Sequence, residues 1–190
     1  MRLSNSEHSR PLIMVVTVAL GIALLSGCVP ASKKRSAGTV IDDQGIEVRA
    51  LNDIYATDEI GNADHIKIEV HNGTVLLAGE TQSEANKALA TKIANQVRGV
   101  KNVVNELAVM PSASLGDRLD NSYITTKANS ILTAKDPISG MDLTRIKVMT
   151  ARRNVYLMGT VTREEGEKVA EVVRNIGGVE KVIKVFDYVD

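Results

Sequence analysis

Residues 66 to 109 are restated in matching order from residue 146 onward, and this internal repeat constrains the fold more than any other feature. Ile66-Lys67-Ile68-Glu69-Val70 lies 80 residues before Ile146-Lys147-Val148-Met149-Thr150. Val75-Leu76-Leu77-Ala78-Gly79 lies 80 before Val155-Tyr156-Leu157-Met158-Gly159. Arg98-Gly99-Val100-Lys101-Asn102-Val103 then matches Gly177-Gly178-Val179-Glu180-Lys181-Val182 at a separation of 79, so one residue is lost between the last two blocks. Two units of about 65–75 residues follow, joined by Pro111-Ser112-Ala113-Ser114-Leu115-Gly116. A unit that small is marginal alone, so the two are expected to pack together.

Each unit reads as α-β-β-α-β, an α+β fold with a small mixed sheet packed on two helices. An opening helix is expected over 46 to about 57, and again over 121 to about 133 with Asp120 or Asn121 as N-cap. Ile124, Ala128, Ile131 and Leu132 fall on one face of the latter. Paired strands are expected at 66–71 with 74–80, and at 145–150 with 154–161. Period-two alternation turns Ile66, Ile68 and Val70 inward and Lys67 and Glu69 outward. Asn72-Gly73 is a tight-hairpin signal, whereas the corresponding Arg152-Arg153 lacks the glycine. Gly79 and Gly159 are expected to end their strands at a bend or a close backbone approach. A second helix follows Ser83, and another follows Thr162, whose pairing with Glu165 matches a capping box. Strands at 103–109 and 182–189 close the units.

Upstream of the repeats, Arg2 and Arg10 precede an uncharged apolar run over 12–25, which is short for a permanent bilayer span. Leu25-Ser26-Gly27-Cys28 resembles a bacterial lipobox. That resemblance implies cleavage of a signal peptide at 1–27, acylation of Cys28, and attachment by fatty chains such as palmitate. Val29, in place of an aspartate, points to the outer membrane and its periplasmic leaflet. Residues 28–44 read as a flexible tether. Lys33, Lys34 and Arg35 within it suit either lipid headgroups or bulk solvent.

Without residues 1–27 the chain carries 21 basic and 22 acidic groups, which excludes the basic excess of a nucleic-acid binder. One cysteine excludes an intramolecular disulfide. His65 and His71 flank one strand without further ligating partners, and no phosphate-cradling loop occurs. No catalytic residue, metal site or cofactor is expected, and an enzyme is not.

Gly73, Val75, Leu77, Gly79, Gly99, Val100, Val103 and Asn105 make the first unit similar to the BON domain of bacterial envelope proteins. Val155, Leu157, Gly159, Gly178, Val179 and Val182 do so in the second, where Lys184 replaces the final Asn. The whole arrangement resembles dual BON-domain outer-membrane lipoproteins, with domains over 45–111 and 117–190. The resemblance implies a role in envelope integrity, at the division site, through anionic phospholipids such as phosphatidylglycerol and cardiolipin. It places the lipid contact on the opening helix of the second unit, at Tyr123, Ile124, Lys127, Ala128 and Ile131. Two readings stay open for Tyr123, a lipid contact or a core-edge aromatic. Arg145, Lys147, Arg152 and Arg153 suit a basic membrane face or a solvated sheet. The alternative function is a periplasmic adaptor for a protein of the outer-membrane assembly machinery, with lipidation only localising it.

Overall fold

A computed structural model describes residues 36–135 and 145–190. The signal peptide, Cys28 and the Lys33-Lys34-Arg35 run lie outside the described residues. Both repeats fall in one compact unit. The first contains α1 (Ala37–Tyr55), β1 (His65–His71), β2 (Thr74–Thr81), α2 (Glu84–Gln96) and β3 (Asn102–Val109). The second contains α3 (Leu115–Lys135), β4 (Ile146–Ala151), β5 (Asn154–Val161), α4 (Arg163–Arg174) and β6 (Lys181–Tyr188). In each, the hairpin is antiparallel and the last strand adds parallel to the middle one, giving orders β1-β2-β3 and β4-β5-β6. The expected mixed sheet and two helices per unit are present.

Both opening helices begin earlier than their sequence signals suggest. α1 starts at Ala37, where Ser36 Oγ accepts the Thr39 amide at 3.1 Å, so the expected tether over 28–44 is already helical from 37. Asp43, which reads as a polar tether residue, is buried because its carboxylate accepts the Asn72 and Gly73 amides at 2.8 and 2.9 Å. α3 starts at Leu115, inside the expected linker.

The hairpins share one turn geometry despite different sequences. Asn72 and Gly73 have φ of 51° and 81°, and Arg152 and Arg153 have 53° and 58°. Asn121 Oδ1 accepts the Arg153 amide at 2.9 Å, as Asp43 does for the first hairpin. Gly79 and Gly159 lie inside β2 and β5 rather than ending them. Their need is a close approach: a Cβ on Gly79 would sit 2.0 Å from the His65 carbonyl oxygen.

Val75 and Leu77 face α1 and α2, while Leu76 and Ala78 point the other way, and all four are fully buried. The second set meets Met149, Tyr156 and Met158 in a core shared by the two sheets. The result is four layers, helices–sheet–sheet–helices, with α1 and α3 on opposite outer faces. The outward reading of Lys67 and Glu69 is therefore corrected, because their side of the strand faces the other repeat. Lys67 Nζ donates to the Thr150 carbonyl at 2.8 Å, and Glu69 pairs with Lys147. Burial between the domains lowers the Lys67 pKa, against the opposing pull of Glu80. Asn72 Nδ2 donates to Thr160 Oγ1 at 3.1 Å and to Asp187 Oδ2 at 2.9 Å, fastening the other end of the interface.

Candidate membrane-contact face

Helix α3 has two apolar faces with different destinations. Asn121, Ile124, Ala128 and Leu132 form the inner one, with Asn121 bonded to the hairpin and the other three in the core of the second repeat. Leu115, Leu119 and Tyr123, at i, i+4 and i+8, form the outer one and are 74, 63 and 62 % exposed. The helix start is fixed by Ser114, whose hydroxyl accepts the Asp117 amide at 3.1 Å and bonds the Asp117 carboxylate at 2.6 Å. Those bonds from the Ser114 hydroxyl and amide hold the Asp117 carboxyl below its usual pKa. Arg118 reaches back to the Ala113 carbonyl and the Ser112 hydroxyl, at 3.0 and 3.1 Å, and clamps the preceding turn.

The five expected contact residues separate accordingly. Tyr123 is exposed, with the Lys127 ammonium 5.7 Å from its ring centroid, so an aromatic and a cation stand together. Ile124 is 2 % exposed and Ala128 fully buried; as core residues they cannot reach a lipid surface, and this part of the expectation is corrected. Ile131 is half-buried and packs on the same core. Leu115 and Leu119 are the surface residues that reading the sequence missed. The signal was present: Ser114-Leu115-Gly116-Asp117 has the Ser-x-x-Asp spacing of a helix start.

The basic strand pair does not form a patch. Arg145 is buried against Glu165 at 3.3 Å, Lys147 pairs with Glu69, and Arg153 pairs with Asp120 at 2.8 Å. Arg152 stays exposed at the hairpin tip. His65 meets Glu80 at 3.1 Å and His71 meets Thr160 at 3.0 Å, at opposite ends of β1. Among the described residues, no group of three or more His, Cys, Asp or Glu is placed to hold a metal ion. None of the described helices is long and apolar enough to cross a membrane.

Comparison with known proteins finds the same domain family twice along the chain. The BON domain family matches residues 42–111 and 120–190. Outer membrane lipoprotein DolP of Haemophilus influenzae is 32 % identical over 188 residues, covering 92 % of this chain and 96 % of that protein. The 21 kDa hemolysin of Actinobacillus pleuropneumoniae is 33 % identical over 155 residues, with coverage of 82 and 78 %. Osmotically-inducible protein Y of Escherichia coli is 25 % identical over 154 residues, with coverage of 80 and 75 %. Among solved structures, the C-terminal domain of CdsD of Chlamydia trachomatis covers 82 % of this chain and all of its own, at 12 % identity. Its TM-score is 0.30, too low to carry an argument. Two tandem BON domains, and identity to DolP along nearly the whole chain, make this protein a member of the DolP family of BON-domain outer-membrane lipoproteins.

Proposed function

We propose that acyl chains on Cys28 hold the protein on the periplasmic leaflet of the outer membrane. The outer face of α3 then contacts anionic phospholipid, phosphatidylglycerol or cardiolipin, and the protein supports membrane integrity where it concentrates, at the division site. The observation that carries this reading is the Leu115, Leu119 and Tyr123 stripe, which points away from the core with Lys127 beside it. Seating three half-inserted side chains of this size stabilises contact by roughly 4 kcal/mol, which corresponds to a dissociation constant on the order of 1 mM. Such a site is ineffective in free solution. Tethering by Cys28 raises its effective concentration to the order of millimolar, where it suffices.

The test is a titration of the chain lacking its signal peptide and acyl groups with phosphatidylglycerol bicelles, followed by amide chemical shifts. Shifts should concentrate on 115–127, and Tyr123→Glu should weaken binding by about tenfold, through loss of aromatic burial and charge repulsion. Equal shifts from neutral and anionic bicelles, centred elsewhere, would overturn the proposal. The adaptor reading draws on a different observation, the exposed Ile41, Val48, Leu51 and Tyr55 of α1.

A further inference from the structure

The first six residues of α3, Leu115 to Asp120, are all exposed, and Asn121 is the first that the fold buries. Leu115 and Leu119, two of the three stripe residues, stand on this unpacked stretch. A cavity of about 490 Å³ lies between it, the linker and the second hairpin, so packing does not hold it in place. Its support is hydrogen-bonded. Ser114 caps it, Arg118 folds back on residues 112 and 113, and the exposed Asp120–Arg153 pair contributes little. The first two of these tie the helix start to the linker, so whatever fixes the linker fixes the stripe.

The first repeat holds the linker from two adjacent residues of β2. The Thr81 carbonyl accepts the Met110 amide at 3.0 Å, and Glu80 Oε2 accepts the Ala113 amide at 3.2 Å. Among the described residues, no other hydrogen bond joins the first repeat to residues 111–120. Glu80 is 1 % exposed, and His65 Nδ1 lies 3.1 Å from the same oxygen. Burying a carboxylate is costly, and the BON fold does not ask for one here. Thr160 holds the matching place in the second repeat, where it meets His71 and Asn72 at 3.0 and 3.1 Å. Glu80 is the longer side chain, and its extra reach ends on the Ala113 amide.

We propose that Glu80 is a positioning residue for membrane contact: through the Ala113 amide it keeps residues 115–120 helical, so that Leu115 and Leu119 stand in line with Tyr123. This role rests on the phospholipid reading, and it gives the first repeat a part in a contact made by the second. Without the bond the linker loosens from the sheet and the unpacked turns fray as far as Asn121. Tyr123 is then the one ordered member of the stripe.

The test uses the chain lacking its signal peptide and acyl groups, with Glu80→Thr borrowing the residue of the second repeat. Hydrogen exchange without lipid should show protection at the amides of 118–120 falling by about tenfold, with 128–132 unchanged. Binding to phosphatidylglycerol vesicles should weaken by about fivefold. Glu80→Gln keeps an acceptor oxygen and should retain most of both. Gly116 has room for a methyl group, with Ser114 Oγ 3.7 Å from it, and alanine favours helix. Gly116→Ala added to Glu80→Thr should therefore restore protection and binding together, which a general loss of stability would not allow. Should Glu80→Thr fail to fold in a thermal melt, Ala113→Pro removes the donor alone and should reproduce both losses. Either of two results would overturn the proposal: protection at 118–120 unchanged, or protection lost with vesicle binding unchanged. A Tyr123→Glu variant run alongside separates the cases. If it weakens binding, the phospholipid reading stands without Glu80; if it binds as the native chain does, that reading has failed as well.

Discussion

Arg152 and Arg153 hold a left-handed turn that Asn72 and Gly73 adopt with ease. Left-handed backbone costs a residue with a Cβ roughly 1–2 kcal/mol. The turn persists because its groups are bonded on several sides: Asn121 accepts the Arg153 amide, and the Arg153 carbonyl accepts the Glu180 amide at 3.0 Å. Arg152→Gly should therefore stabilise the protein by about 1 kcal/mol, raising Tm by about 3 °C in a thermal melt. Asp64 presents the opposite case. Burial would raise its pKa, but bonds from the Thr81 hydroxyl, the Gln82 and Gly61 amides and Asn86 overrule that and lower it. A carboxyl depressed in the folded state contributes stability above its unfolded pKa and loses it as pH falls through the folded one. Asp64→Asn should cost roughly 1–3 kcal/mol at neutral pH in a urea melt. The gap should close as pH falls below the ordinary aspartate range; a gap constant from neutral pH to strong acid would contradict this assignment.

Among the elements, the strands and second helices were legible because each has a local signature. Thr162 and Glu165 make the capping box their spacing implies, and Asn72-Gly73 makes the tight turn. The opening helices were less legible at their starts. Gly38, Gly45 and Gly116 lower helix propensity there, and the contact that buries Asp43 comes from a hairpin 29 residues away. Face assignment failed in two instructive places. Alternation identifies which side of β1 carries Lys67 and Glu69, but not that a second sheet covers that side. In β2 the unbroken Val75-Leu76-Leu77-Ala78 run already signalled burial on both faces. In α3, helical spacing put Ile124 and Ala128 on a core face, while family resemblance put them on a lipid face. One side chain cannot serve both, and the periodicity was the better guide because it reflects burial in this chain itself.

At the scale of the whole molecule, the early start of α1 leaves a short connection to the membrane. Four layers of about 10 Å make a body roughly 40 Å thick, so with the α3 face on a bilayer the α1 axis stands about 35 Å above it. The nine residue steps from Cys28 to Ala37, the start of α1, span at most about 32 Å when fully extended. An acylated Cys28 and a docked α3 face therefore meet one flat bilayer only at the limit of this connection while α1 is intact, and simultaneous contact pulls on the start of α1. The first residue of α1 locked into the fold is Asp43; Ala37, Gly38, Ile41 and Asp42 before it are exposed, and the Ser36 cap fastens the start. Unwinding 37–42 would add roughly 20 Å of reach and break no core contact. Hydrogen exchange on the acylated chain in phosphatidylglycerol-containing nanodiscs should show loss of protection over 37–42 and none over 46–55. The same chain without acyl groups should keep both, and so should an acylated chain with about ten Gly and Ser residues added after Val29, since the longer connection removes the tension. Retained protection over 37–42 in the acylated native chain, with the α3 amides shielded by lipid, would refute the tension and require the body to tip its α1 end toward the bilayer.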